Sequence, residues 1–165
     1  MTAGNYHIAQ LNIARMRAPL DDPIMADFVD NLSRINALGE NSPGFVWLLK
    51  DDSGSNSATE IRPYEDERII INMTIWETIE ALHDYAYYSD HTDFFRRRAE
   101  WFEKMDTPTF VLWWVPAGHI PTVEEAKGRL EYLTAHGPTP YAFTFKKQFS
   151  VEEMLKSIEA TTGQD

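Results

Sequence analysis

No cysteine occurs anywhere in the 165-residue chain. Disulfides, a cysteine nucleophile and thiolate metal ligation are thereby excluded. Basic residues are scarce too: 15 Lys and Arg stand against 26 Asp and Glu, a formal charge of −11. Such a surface repels phosphate backbones, so nucleic acid is not an expected partner. No run approaches the ~18 apolar residues of a membrane-spanning helix, and a membrane is not expected either. The opening, MTAGNYHIAQ, has no basic stretch followed by an apolar one. No secretory signal is read there, and a cytoplasmic location is the expectation. There is no HExxH pair, haem motif, internal repeat or low-complexity tract; no metal or cofactor is expected.

What is present is apolar and aromatic: 43% and 13% of the residues. A chain of this length buries roughly 70% of its unfolded surface. The expectation is one domain over residues 1–165, with a core over about 5–145 and a C-terminal helix over about 150–161. Polar and aromatic groups concentrate between Trp76 and Pro140. That stretch holds four of the five histidines, the triplet Arg96-Arg97-Arg98, and Trp101, Trp113 and Trp114.

Residues 6–14 read as a first strand. Asp21 and Asp22 offer a helix cap, with Pro23 at the first helical position. Ile24, Phe28, Leu32, Ile35 and Leu38 keep one helical face until Gly39 stops it. Residues 45–49 form a second strand. The stretch DDSGSNSATEIRPYEDE is a long connection with little to bury, expected to be the most mobile internal segment. Residues 69–76 form a third strand and residues 78–88 a short helix. Ser89 and Asp90 break that helix and cap another, with Asp93 near its start. Residues 109–115 form a fourth strand. Thr122 with Glu125 makes a capping box for a helix that His136 and Gly137 close. Residues 141–145 read as a short extra strand, and Ser150 with Glu153 caps a last helix.

The core order is β-α-β-β-α-β. That is the ferredoxin-like plait, an antiparallel α+β sheet with helices on one face, here with extra C-terminal helices. The third strand alternates Ile69, Ile71, Met73 and Ile75 with Ile70, Asn72, Thr74 and Trp76, and the fourth is apolar on both faces. A sheet with one wet face shows polar residues there. This one does not, so both faces are expected to be covered. The second cover is either the extra helices or another copy of the sheet, and two sheets face to face make a homodimeric α/β barrel.

The stretches NSATEIRPYEDERIIINMTIWETIEAL, LWWVPAGHIPTVEEAKGRL and HGPTPYAFTF, with the 91–102 run, resemble DUF3291, an uncharacterised bacterial family in the dimeric α/β-barrel superfamily. The resemblance implies the fold and no assigned activity. The superfamily includes cofactor-independent monooxygenases, haem-degrading enzymes, haem peroxidases and isomerases, so fold does not decide function. In several of its members an Asn on the first strand and a Trp ending the third contact the ligand, and Asn12 and Trp76 occupy comparable places.

Candidate residues follow, each with a purely structural alternative. His119, between Gly118 and Pro121, is a candidate catalytic group or a turn-bonded ring. His83 and His91 near a helix junction are candidates for a general base or axial haem ligand, or packing residues. Helical spacing pairs Asp93 with Arg97, Arg96 with Glu100 and Glu100 with Lys104. Arg98 has no acid in reach on its own helix, and either lies over aromatic rings or reaches inward to a carboxylate. Trp113 and Trp114 face opposite sides of a strand; one is expected in the core and one beside a cavity. Gln10, Asn12, Asn72 and Thr74 share a sheet face and need partners: an interface, water or a ligand. Trp101 supplies an aromatic wall. The expected partner is a small apolar or aromatic molecule, held in a cavity between the helices and one sheet face. Three functions compete: a metal-free oxygenase-like enzyme, a haem binder, and a non-catalytic binding or structural dimer.

Overall fold

The protein, seen here as a computed structural model, is described over residues 3–88 and 96–162. Strand β1 (Tyr6–Met16) leads through a 3₁₀ turn into helix α1 (Ala26–Glu40). Asp22 starts that turn by accepting from Ile24 N, with Pro23 behind it. Strands β2 (Phe45–Leu48) and β3 (Ile69–Trp76) follow, then helix α2 (Ile79–Tyr88). A one-turn helix α3 (Arg98–Trp101) runs straight into the two-residue strand β4 (Phe102–Glu103). Strand β5 (Phe110–Pro116), helix α4 (Val123–His136) and helix α5 (Val151–Thr162) complete the chain. No described helix is long and apolar enough to cross a membrane.

The fold is mixed α+β around one antiparallel five-stranded sheet. β1 is central. One edge pairs with β3, which pairs in turn with β2; the other edge is shared by β5 and, at Arg15 and Met16, by β4. The register sets Ile8 against Trp76 and Trp114, Gln10 against Thr74 and Leu112, and Asn12 against Asn72 and Phe110.

The chain covers both sheet faces itself. Ala9, Leu11, Ile71, Met73, Ile75, Val111 and Trp113 form a dry face under Ala126, Leu130 and Leu133 of α4. α1, α2 and α3 lie on the other face. Of the two covers expected for the second face, extra helices or another copy of the sheet, α4 supplies the first. The two-sided apolar sheet that called for a second copy is satisfied within one chain.

Three local readings also change. Gly39 lies inside α1 and is buried, since the ring of Tyr85 on α2 packs against it; a Cβ there would sit 3.2 Å from that ring. The extra strand over 141–145 is reduced to isolated bridges. Thr139 and Ala142 bond each other across a turn, which leaves only Phe143 to reach Leu112 of β5. The 51–67 connection buries more than its composition suggested: Ser57 and Ala58 are 2% and 5% exposed, and Ile61 and Tyr64 pack on the core.

Candidate functional site

Between the sheet and α1, α2 and α3 lies a cavity of about 830 Å³. Its floor is the face of β1 and β3 that carries Gln10, Asn12, Ala14, Ile70, Asn72, Thr74 and Trp76; its roof includes Phe28, Leu32 and Ile35 of α1 and Leu82 and Tyr85 of α2. Asn12 sits mid-strand on the central strand, yet its side chain is exposed. Among the described residues, the cavity separates the middle of this sheet face from the helices over it. The helices stand off the sheet there because large rings prop them at one end. Tyr85 stacks on Trp76 at 5.2 Å between centroids, and Phe45 meets Trp76 edge-on. The Tyr85 hydroxyl donates to Ile35 O at 2.9 Å, tying α2 to α1. Burial pushes the Tyr85 phenol up from its ordinary pKa, so it stays a neutral donor.

The floor network has one consistent polarity. An indole N–H can only donate. Trp76 Nε1 donates to Thr74 Oγ1 at 2.9 Å, and Gln10 Nε2 donates to the same oxygen at 2.8 Å. Gln10 Nε2 also donates to Asn72 Oδ1 at 2.8 Å. Both lone pairs of Thr74 are then occupied and its proton is left to give. Asn72 must turn Nδ2 the other way, and no described residue accepts from it.

One end of the cavity is basic. Arg17, Arg98 and Lys104 line it where β1 ends. Arg17 Nε donates to Ala99 O at 2.9 Å, which holds α3 against the strand. The nearby acids are taken by other cations. Arg97 binds Asp27 at 2.7 Å and Glu100 at 2.8 Å, and hydrogen bonding to Arg97 holds the Glu100 carboxyl below its ordinary range. Glu103, the one carboxylate among the described lining residues, pairs with Arg68 at 2.9 Å. The expected Glu100–Lys104 helical pair does not form, because the helix ends at Trp101 and Lys104 follows a strand. Among the described residues, neither Arg17 nor Lys104 makes an ion pair.

Of the residues singled out in the sequence, Asn12, Asn72, Trp76, Arg98 and Trp101 come together on this cavity. His83 does not line it; its ring packs on Tyr87 and Phe145, which do. His119 lies elsewhere, exposed in the loop before α4, with Nε2 3.0 Å from Glu125 Oε2. That contact draws the Glu125 carboxylate away from the capping box, of which only Glu125 N to Thr122 Oγ1 remains. Trp113 is wholly buried on the α4 face, its indole nitrogen without a described partner. Trp114 faces the cavity side of the sheet but packs on Phe143 and the α5 segment, donating to Phe149 O at 2.9 Å. His91 and Asp93 lie outside the described residues.

Sequence reasoning missed Arg17, Tyr85, Asn36 and the 57–59 segment, all of which line the cavity. Gly39, read as a helix stop, was the signal for Tyr85: a glycine inside a helical face marks a close neighbour. Arg17 gave no signal, since its place depends on α3 docking beside the end of β1.

The family model described as a domain of unknown function, DUF3291, matches residues 7–159. The chain belongs to the DUF3291 family. No curated protein matches it. Among solved structures, a protein of unknown function from Nitrosomonas europaea, NE2512, is 10% identical with a TM-score of 0.44; the match covers 72% of this chain and 98% of that one. PA3566 from Pseudomonas aeruginosa is 11% identical with a TM-score of 0.45, covering 70% and 98%. Likenesses this distant bear on neither fold nor function.

Proposed function

We propose that this DUF3291 protein binds a small, largely apolar molecule in the cavity between the sheet and its helices. The observation that carries the reading is the exposed Asn12 side chain at the middle of a central strand, above which a volume of about 830 Å³ stands open. Ligand sites have this size and this mixture of aromatic walls with a few polar groups. The strand order β2-β3-β1-β5 supports the finer reading of the fold as ferredoxin-like. A homodimeric barrel has lost the observation that called for it, since α4 covers the second sheet face.

Binding is favoured over catalysis. An oxygenase-like reaction would use the same walls, with Asn12, Asn72 and Trp76 orienting an electron-rich substrate. The histidines offered as bases or haem ligands, His83 and His119, are not on the cavity wall. A neutral solvatochromic naphthalene dye tests the proposal. It is expected to bind one to one with a blue-shifted emission, and Asn12→Trp, which fills the middle of the cavity, is expected to abolish that at an unchanged melting temperature. A dye that binds the variant as well as the wild type, or neither of them, overturns the reading.

A further inference from the structure

Resting on that binding reading, we infer that the ligand is an elongated amphipathic carboxylate, its anionic end at Arg17 and Lys104 and its apolar body directed along β1 towards Trp76 and Tyr85. The cavity is polarised along β1. Trp76, opposite Ile8, and Phe45 mark the aromatic end. Arg17, Arg98 and Lys104 mark the other. The strand run from Ile8 to Arg17 spans roughly 30 Å at about 3.3 Å per residue, so the aromatic and basic ends lie far apart along β1. The shape therefore suits a chain or fused-ring body with a charged head, not a compact molecule.

The polarity of the walls selects the sign of that head. Glu103, the lining carboxylate, is already neutralised by Arg68, and the adjacent Asp27 and Glu100 are neutralised by Arg97. Arg17 and Lys104 carry charge with no described acid to answer it, and the Arg17 side chain is already fixed by its bond to Ala99 O. Midway, the Thr74 hydroxyl and the Asn72 amide, whose oxygens are already taken as acceptors, each keep protons to donate. A cationic ligand would meet like charge at the basic end, whereas a carboxylate meets pre-positioned donors. The whole molecule carries −11, so its field opposes an anion; a local basic end is what an anionic ligand requires here.

The test compares dodecanoate with neutral 1-dodecanol by calorimetric titration of the full chain. Wild type is expected to bind both, the carboxylate at least tenfold more tightly, with a preference that shrinks as salt is raised. Arg17→Met with Lys104→Met is expected to remove the preference, so that the two probes bind alike, whatever the loss of the bond to Ala99 O costs both of them. Arg17→Lys, which loses the bond to Ala99 but keeps the charge, is expected to retain most of the preference. Equal affinity for the two probes in wild type, or a preference that survives in the Met variant, overturns the carboxylate inference and leaves the cavity reading standing. A protein that binds neither probe overturns both.

Discussion

Thr74 is the residue on which the floor of the cavity turns. Its hydroxyl oxygen accepts from both Trp76 Nε1 and Gln10 Nε2, and it is 7% exposed. Thr74→Val keeps the shape and removes the acceptor. Gln10 retains Asn72, but the indole N–H, on a side chain 0% exposed, is orphaned. A buried unsatisfied donor costs about 1–3 kcal/mol. Urea unfolding of Thr74→Val is expected to show that loss, and Thr74→Ser to recover most of it because the oxygen returns. Equal stability of the Val variant and the wild type would mean that the indole finds another acceptor, and the donor-biased floor would lose its anchor. The alternation along β3 already placed Asn72, Thr74 and Trp76 on one face in the sequence. Their bonding to one another depends on the register of β1, which places Gln10 opposite Thr74.

At the scale of elements, the helices are held by close approaches that short residues permit. The turn between α1 and β2 passes Gly44, with φ +82, where a Cβ would lie 2.6 Å from the Cβ of Ala81 on α2. Its carbonyl accepts from Glu77 N at 2.7 Å, so the turn cannot move away freely. Gly44→Ala combines a left-handed backbone with a backbone-anchored clash, and is expected to destabilise by about 2–4 kcal/mol. A thermal scan showing no loss would mean that α2 shifts without cost. Helix starts were legible because caps are local: Thr122 accepts from Glu125 N, and Ser150 and Glu153 bond reciprocally. Helix faces were less so. Gly39 sits in α1 for the sake of Tyr85, a residue on another helix.

For the whole molecule, stability against acid follows from its paired carboxylates. The Arg68 backbone N–H, with the Arg15 side chain, holds the Asp66 carboxyl below its ordinary range; Lys50 does the same for Glu40, and Arg97 for Glu100. A folded pKa below the unfolded one contributes stability that is complete above the unfolded value and is lost as pH falls through the folded one. The melting temperature is therefore expected to hold from pH 7 to 5 and to fall below about pH 4, the ordinary carboxylate value. Relief of the −11 self-repulsion works in the opposite direction, so the comparison that isolates these pairs is with Asp66→Asn combined with Glu100→Gln. That variant is expected to lose melting temperature at pH 7 and to show a shallower acid slope. An unchanged slope by scanning calorimetry would show that the pairs do not contribute.

Strand spans, helix starts, the dry face of β3 and the shared polar face of Gln10, Asn12, Asn72 and Thr74 could be read from the sequence alone. Each depends on a period of two or 3.6 residues, or on a cap within one turn. Which helix covers which face depended on tertiary structure, because the same apolar face of Val111 and Trp113 could have met a second copy or α4. The cavity was decided there too. It exists because rings on α2 and β3 hold the roof above Asn12 and because α3 docks beside Arg17, and both are contacts between residues far apart in the chain. Packing of that kind leaves no period in the sequence, so the loop 118–121 with its single His119 outshone Arg17 and Tyr85 until the fold placed them.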